Sequence, residues 1–123
     1  MENGVILVGD DTPDILEMVT FILEGEGYRV RTAGTGQEVL ASARSERPDL
    51  ILLDLRMPGL DGFGVLRELG RNGEAHPPVV VLSAKGAEED RRAALAAGAC
   101  SYLFKPFTVG QLLQAVREQL AGR

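Results

Sequence analysis

Leu50-Ile51-Leu52-Leu53-Asp54 is an unbroken run of four apolar residues that ends in a carboxylate. A run of this length without alternation is typical of a strand in a parallel sheet whose two faces are covered by helices. A charged residue at the end of such a strand is uncommon, because burying an unpaired carboxylate is unfavourable. The stretch therefore predicts a parallel sheet, and it marks Asp54 as a candidate functional residue.

Short apolar runs and segments of helical spacing alternate on both sides of this stretch. The predicted strands are Val5 to Val8, Tyr28 to Ala33, Leu50 to Leu53, Val79 to Leu82 and Cys100 to Phe104. The predicted helices follow them in turn and begin near Pro13, Thr35, Phe63, Glu88 and Thr108. This alternation indicates right-handed crossovers, and it predicts an α/β fold with a doubly wound, five-stranded parallel sheet and five helices on its two faces.

Three threonines, Thr12, Thr35 and Thr108, are placed to cap the first, second and fifth helices. Thr12 precedes Pro13, and proline suits the first helical position. The other two threonines belong to capping boxes, in which the side chains at the cap and three residues later serve the free amides of the first turn. The boxes are Thr35 with Glu38 and Thr108 with Gln111.

The fourth predicted helix, Glu88 to Ala97, differs from the others in its apolar content. Leu95 is its one large apolar residue, and the rest of its buried face is alanine. Because small side chains bury less apolar area, we expect this helix to pack weakly and to be a moving part of the molecule.

Composition bounds the class of protein. The chain has 123 residues, 45% of them hydrophobic, which is enough for the core of one domain. We expect residues 1–123 to form one domain, either on its own or as the first part of a longer protein. The net charge of -5 argues against unaided binding to nucleic acid or membranes and favours a cation as the small partner. The lone Cys100, with neither a leader nor a membrane-spanning apolar run, favours a cytosolic location.

Polar side chains stand at the carboxyl ends of four predicted strands. They are Asp10 and Asp11 after the first strand, Asp54 after the third, Ser83 after the fourth and Lys105 after the fifth. Ligands of open parallel sheets bind at this edge, where the loops converge. Each acid alone is compatible with a helix cap or an ordinary strand end. Three carboxylates together resist ionisation unless a cation offsets their charge, so the set predicts a metal site.

Mg²⁺ suits this site best, because it takes oxygen ligands and commonly bridges protein carboxylates to a phosphate. Mn²⁺ is the natural substitute. A zinc site is not expected, since no histidine or cysteine lies near these residues in the sequence. The one histidine, His76, precedes Pro77-Pro78 in a polar loop and is expected to be an exposed loop residue.

These motifs resemble those of the response-regulator receiver domain, and the resemblance extends from Gly4 to Leu120. Val5 to Asp11 is similar to the family's first strand with its acidic pair, and Leu50 to Gly62 is similar to the phosphoacceptor strand and its Met-Pro-Gly-x-Asp-Gly loop. Ser83-Ala84 is similar to the family's hydroxyl-then-alanine pair. The last strand of the family and its Lys-Pro pair are matched by Gly98-Ala99, Tyr102 and Lys105-Pro106-Phe107. The resemblance implies the flavodoxin-like strand order 2-1-3-4-5.

The resemblance also implies a phosphoacceptor and a metal centre. Asp54 would take a phosphoryl group from the phosphohistidine of a sensor kinase or from a small phosphodonor. Asp11 and Asp54 would ligate Mg²⁺ directly, Asp10 through a water, and Arg56 through its backbone carbonyl. Receiver domains of this kind catalyse only their own phosphorylation and dephosphorylation, so we do not expect an enzyme that turns over external substrates.

The remaining family positions imply a switch. Lys105 would pair with one phosphoryl oxygen and Ser83 would donate a hydrogen bond to another, while the bond between Lys105 and Pro106 is expected to be cis. Movement of Ser83 toward the phosphate would let Tyr102 turn inward and shift the surface formed by helix four, strand five and helix five. The implied partners are a sensor histidine kinase or phosphotransfer protein, a downstream output domain or protein, and a phosphorylation-dependent second copy, but neither nucleic acid nor a membrane.

Several positions depart from the family pattern or extend it. Gly9 replaces a bulkier apolar residue, and Cys100-Ser101 stands where many relatives carry acids that support a dimer. Arg56 and Lys85 flank the site and are candidates for setting the lifetime of the phosphate. Kinase contacts are expected on the first helix, and the candidates are Asp14, Glu17 and Thr20.

Three other interpretations share the fold. A flavin-binding electron carrier would need hydroxyls after strand one, where Asp10 and Asp11 instead repel a phosphate. A phosphatase with an aspartyl nucleophile would place a second aspartate two residues after Asp54, where this chain has Arg56. A receiver-like module that binds proteins without being phosphorylated is the third alternative.

Overall fold

The computed structural model describes residues 4–73, 75–84 and 87–121 of the chain. The strands are β1 (Val5–Gly9), β2 (Arg29–Ala33), β3 (Leu50–Asp54), β4 (Val79–Ala84) and β5 (Ser101–Lys105). The helices are α1 (Pro13–Gly25), α2 (Gly36–Ser45), α3 (Gly62–Leu69), α4 (Glu88–Ala96) and α5 (Val109–Ala121). A 3-10 turn, Arg71–Gly73, follows α3. Each predicted element is present, with ends that differ by a residue or two.

The five strands form one parallel sheet in the order β2-β1-β3-β4-β5. The predicted α/β class and the strand order 2-1-3-4-5 are therefore confirmed. The register aligns the strand ends, since Asp54 pairs with Leu82, and Ala84 pairs with Lys105. Side chains that follow these ends are consequently brought to one edge of the sheet.

A separate apolar core lies on each face of the sheet. In β3, Ile51 and Leu53 point into the core beneath α2, α3 and α4, whereas Leu50 and Leu52 point into the core beneath α1 and α5. All four side chains are fully buried. The absence of alternation in this strand follows from the two covered faces, as the sequence predicted.

The helix starts agree with the predicted caps at two of three threonines. Thr35 Oγ1 accepts a hydrogen bond from the amide of Glu38, and Thr108 forms a similar bond with the amide of Gln111. The prediction for Thr12 was wrong in part, because Thr12 occupies the cap position but its side chain makes no cap hydrogen bond. The Thr12 amide donates to Asp10 Oδ1 at 2.9 Å, a bond within the turn before α1 that is separate from the expected cap bond.

Glycines allow α2 and α3 to approach the loop after β3 closely. A Cβ atom at Gly36, the first residue of α2, would lie 2.0 Å from the backbone oxygen of Leu60. A Cβ atom at Gly62, the first residue of α3, would lie 2.6 Å from Leu55 Cα. Both distances are far below van der Waals contact, so these two helix starts rest directly on the loop backbone.

Helix α4 is held differently from its neighbours. Ala94 is its only buried residue, and Leu95 is half-buried. Leu95 packs against the apolar core, and nearer the start of the helix the guanidinium of Arg91 lies 4.8 Å from the centre of the Tyr102 ring. Among the described residues, no helix has both the length and the apolar character needed to cross a membrane.

Candidate functional site

The carboxyl ends of β1, β3, β4 and β5 bring the candidate residues to one edge of the sheet. Asp10 and Asp11 follow β1, Asp54 ends β3, Ser83 lies near the end of β4, and Lys105 ends β5. These residues come from across the chain, yet they form a single cluster.

Three carboxylates lie at the centre of this cluster. One oxygen from each of Asp10, Asp11 and Asp54 lies within 4.8 Å of the others. Asp10 is fully buried and Asp54 is 6% exposed, whereas Asp11 faces solvent. Buried carboxylates at this spacing need a compensating positive charge, since their mutual repulsion is little screened.

The Lys105 ammonium supplies part of that charge. Lys105 Nζ lies 2.8 Å from Asp10 Oδ2 and 3.2 Å from Asp54 Oδ2. The peptide bond between Lys105 and Pro106 is cis. Asp10 thus uses both of its oxygens, one for Lys105 and one for the Thr12 amide.

The environment raises the pKa of Asp54. Burial disfavours the charged carboxylate and is the largest cause, while the Arg56 amide and the charge of Lys105 act in the opposite direction. The pKa of Lys105 is also raised: burial lowers it, but the hydrogen bond to Asp10 and the charges of Asp54 and Asp10 outweigh that effect. The site therefore favours a charged lysine beside a carboxylate that is incompletely compensated.

Arg56 contacts the site through its backbone and α4 through its side chain. Its amide donates to Asp54 Oδ1 at 3.1 Å. Its guanidinium forms an ion pair with Asp90, in the first turn of α4. Sequence reasoning placed Arg56 beside the site but missed Asp90; the only available signal was the run of three acids that opens this helix.

Ser83 and Tyr102 lie on the face of the sheet that α4 covers. The Ser83 hydroxyl is buried and has no hydrogen-bond partner among the residues that the structure describes. Tyr102 pairs in register with Val81, is half-buried, and lies between Arg91 and Phe104, with 5.0 Å between the two ring centres. Ser83 is two residues after Val81 on β4 and therefore lies on the same face of the sheet as Val81. Because Val81 pairs with Tyr102, Ser83 and Tyr102 are diagonal neighbours on this face. Lys85 lies outside the described residues.

The donor set fits a hard divalent cation. The three side chains offer only carboxylate oxygens, and the exposed Asp11 leaves the cluster open to solvent on one side. Mg²⁺ prefers such ligands and retains several waters, which this open side admits. Within the described residues, no histidine or cysteine joins the cluster, and a zinc site is therefore not supported.

The surface of α1 differs in part from the sequence expectation. Asp14 and Glu17 are exposed, and Thr20 is half-buried with its hydroxyl oxygen turned inward, although all three residues line the same groove beside α1. Met18 and Phe21 are 41% and 82% exposed. The spacing of Ile15, Met18, Val19, Ile22 and Leu23 predicts one buried face on this helix, and that prediction is wrong for Met18; Phe21 lies outside the spacing.

His76 also differs from its expected state. It is half-buried rather than exposed, and its Nδ1 lies 2.8 Å from the Pro77 carbonyl oxygen. His76 takes no part in the carboxylate cluster.

Comparisons with known proteins agree on one family. Residues 6–117 match the model of the response regulator receiver domain. The probable transcriptional regulatory protein TcrX of Mycobacterium tuberculosis is 42% identical over 94% of this chain and 49% of its own length. The chain thus spans about half the length of the curated relatives that it matches.

Solved structures give the same result. A putative response regulator from Chloroflexus aurantiacus superposes with a TM-score of 0.88 at 33% identity, covering 96% of this chain and 98% of that one. The receiver domain of NtrX from Brucella abortus has a TM-score of 0.87 at 35% identity, with coverages of 96% and 99%. These similarities remove the flavin carrier and the phosphatase as interpretations of the site. The chain belongs to the response regulator receiver domain family of two-component signalling.

Proposed function

We propose that the chain is a phosphorylation-controlled switch in which Asp54 accepts the phosphoryl group. The donor is a sensor histidine kinase, a phosphotransfer protein or a small phosphodonor. The observation that carries the proposal is the contact of the Lys105 ammonium with the buried Asp54 carboxylate, inside a cluster of three acids. In this proposal the chain modifies only itself and turns over no external substrate.

The proposed metal ligands are the three clustered carboxylates, with Asp11 and Asp54 binding Mg²⁺ directly and Asp10 through a water. The spacing of the carboxylates supports this proposal, since one oxygen from each lies within 4.8 Å of the others. The Arg56 carbonyl is the further proposed ligand, and Mn²⁺ would serve as a substitute. When bound, the cation supplies positive charge to the oxygens of the phosphoryl group during transfer.

Phosphoryl transfer needs positioning and charge neutralisation more than covalent chemistry from the protein. An oxygen of Asp54 forms a bond to phosphorus as the bond between phosphorus and the donor atom breaks, and the electron pair leaves with the donor. Lys105 is placed to pair with one phosphoryl oxygen. The buried Ser83 hydroxyl has no partner, and it would donate a hydrogen bond to another phosphoryl oxygen.

The output step starts from the same hydroxyl. Once Ser83 has a phosphoryl partner and moves toward Asp54, space opens for Tyr102 on the α4 side of the sheet. An inward turn of Tyr102 breaks its contact with Arg91 and changes the surface formed by α4, β5 and α5. That surface is the proposed site for an output domain, a separate output protein or a second copy of the chain.

The partners and the place of action belong to the same proposal. The exposed face of α1, with Asp14, Glu17 and Phe21, borders a groove of about 980 Å³ and is the proposed docking site for the kinase. In TcrX, a probable transcriptional regulatory protein, the matched region is about half of the protein. We infer that residues 1–123 are one receiver domain, alone or at the start of a longer regulator, that acts in the cytosol.

Intact-protein mass spectrometry after incubation with acetyl phosphate, with and without Mg²⁺, tests the proposal. The expected result is one phosphoryl adduct that requires Mg²⁺, is absent from Asp54→Asn, and persists in the control Asp14→Asn, which removes an exposed acid of α1. If no adduct forms under any condition, the proposal fails and the chain is an unphosphorylated protein-binding module.

A further inference from the structure

The ion pair between Arg56 and Asp90 joins the loop after β3 to α4, the helix with the fewest buried residues. Arg56 is anchored beside Asp54, because its amide donates to Asp54 Oδ1 at 3.1 Å. Asp90 lies in the first turn of α4, whose only buried residue is Ala94. The two residues are 34 positions apart, so the contact is a tertiary one.

The charges around this ion pair are unequal. Glu88, Glu89 and Asp90 open α4, and Arg91 pairs with Glu88 at 2.8 Å. Arg56 therefore neutralises one of three acids that lie at the end of the helix nearest the site. Without Arg56, the acidic first turn would face the carboxylate cluster with less positive charge between them.

A phosphoryl group on Asp54 changes this balance. It would add close to two negative charges and three strong acceptor oxygens at Asp54. The Arg56 amide donates its hydrogen bond to this same residue. Guanidinium groups bind carboxylates and phosphates alike with two parallel hydrogen bonds, so the larger negative charge and the third oxygen of the phosphoryl group are what favour it over the Asp90 carboxylate. The Arg56 side chain is 71% exposed and the Asp90 side chain 27%, so the existing pair is weakly held and readily exchanged.

We propose that Arg56 exchanges partners on phosphorylation, leaving Asp90 for the phosphoryl oxygens, and that this exchange releases the first turn of α4. The inference rests on the proposed phosphorylation of Asp54. Arg56 acts as a positioning residue: it carries the charge change at Asp54 to α4 directly, along a route separate from that of Ser83 and Tyr102. Once released, Asp90 and its acidic neighbours are repelled by the new phosphate, which reinforces the movement.

Hydrogen exchange of the amides in residues 87–97, measured by mass spectrometry, reads out the release of α4. The variants are Asp90→Asn, which keeps the shape of the side chain and removes its charge, and the control Glu89→Gln. Glu89 is exposed, lies one position earlier, and has no ion-pair partner among the residues that the structure describes. Each sample is measured before and after acetyl phosphate with Mg²⁺, and its intact mass gives the phosphorylated fraction.

Without phosphorylation, Asp90→Asn should exchange about two- to fivefold faster than the wild type in this segment, as expected for the loss of one partly exposed ion pair. Phosphorylation should accelerate the wild type and Glu89→Gln by more than it accelerates Asp90→Asn, which has already lost the contact and keeps only the route through Ser83 and Tyr102. Arg56→Gln should resemble Asp90→Asn before phosphorylation, and the double variant should add nothing further.

The intact mass separates two kinds of failure. If the wild type forms no adduct, the proposed function fails and the exchange fails with it. If the adduct forms but Asp90→Asn exchanges like the wild type, or gains the full acceleration on phosphorylation, only the partner exchange is overturned.

Discussion

The ammonium of Lys105 lies 3.2 Å from Oδ2 of Asp54, although the two residues are 51 positions apart in the chain. The parallel sheet creates this contact, because it aligns the end of β5 with the end of β4 and the end of β4 with Asp54. Burial raises the pKa of the Asp54 carboxyl, and the charge of Lys105 acts to lower it. The ionisation state of the proposed nucleophile thus depends on this pair.

Replacing Lys105 with methionine should raise the pKa of Asp54 further, since the favourable charge is lost while burial and the charge of Asp10 remain. Phosphorylation by acetyl phosphate should slow by about tenfold or more, because a charged group aimed at the transferring oxygens is missing. Carbon-13 NMR titration of the Asp54 carboxyl in Mg²⁺-free buffer measures the pKa. Lys105→Arg, which keeps the charge, should leave the pKa closer to that of the wild type; an unchanged pKa in Lys105→Met would contradict the argument.

Asp54→Asn should raise the free energy of unfolding at pH 7 by about 1 kcal/mol in Mg²⁺-free buffer, because it removes a buried charge that the fold only partly compensates. The pKa of Asp54 is higher in the folded protein than its ordinary value of 3.8, so ionisation destabilises the fold. This penalty is present above the folded pKa and disappears as the pH falls below 3.8.

Urea unfolding of Asp54→Asn and the wild type between pH 3.5 and pH 7 therefore gives a difference that shrinks toward acid pH. A difference that grows as the pH falls would mean that the carboxylate stabilises the fold. Asp61→Ala is a useful comparison, since Asp61 is the cap of α3 and its Oδ1 accepts a hydrogen bond from the Gly64 amide at 3.0 Å. Its loss should destabilise the protein at neutral pH.

Asp11→Asn should weaken Mg²⁺ binding by at least about tenfold, because it removes one of the two direct carboxylate ligands of the proposed site. Isothermal titration calorimetry with MgCl₂ measures this without any phosphodonor. Asp14→Asn removes an equal charge from the first turn of α1 and lies outside the cluster, so its affinity should match the wild type. Equal losses in the two variants would point to a general charge effect instead of a metal site.

Ser83→Ala should leave the unphosphorylated protein as stable as the wild type, or more stable by up to about 1 kcal/mol, because the buried hydroxyl has no partner to lose. Thr35→Ala provides the contrast, since Thr35 Oγ1 caps α2 and its loss should cost about 1 kcal/mol. Thermal unfolding reports both. The phosphorylated form of Ser83→Ala should lose the chemical-shift changes that pass through Tyr102 to β5 and α5.

Tyr102→Ala should accept the phosphoryl group normally but lose the phosphorylation-dependent shifts of amide resonances in β5 and α5, whereas the first turn of α4, which Arg56 reaches by a separate route, should still respond. The physical reason is that the ring is the group whose movement links Ser83 to this surface, and it also holds Arg91. Tyr102→Phe keeps the ring and removes the hydroxyl, which separates packing from hydrogen bonding. If Tyr102→Ala retained the complete set of shifts, the Tyr102 step would have to be abandoned.

The sequence predicts the fold and the site well where strand ends decide the outcome. Asp54 and Lys105 meet because parallel strands end at one edge, and that rule needs only the strand boundaries. It predicts less well which backbone groups a side chain contacts. Thr12 has the expected cap position but its hydroxyl makes no cap hydrogen bond, and the sequence does not predict that the Asp10 carboxylate accepts the Thr12 amide.

Contacts made by long side chains lay beyond sequence reasoning. The pairs Arg56 with Asp90 and Arg91 with Tyr102 depend on the rotational phase of α4, which its mostly alanine face leaves poorly defined. The exposure of Phe21 is also not predicted by the sequence. The spacing of apolar residues indicates which face of a helix is buried, but it does not explain an apolar residue outside that face.

The glycine contacts at the starts of α2 and α3 make the two ends of this face of the sheet unequal in packing. Gly36 and Gly62 lie against the backbone of the loop after β3, so a change at Asp54 has little room to displace α2 or α3. At the other end lies α4, in which Ala94 is the only buried residue. A displacement that begins at the centre of the sheet is therefore transmitted in one direction, toward α4.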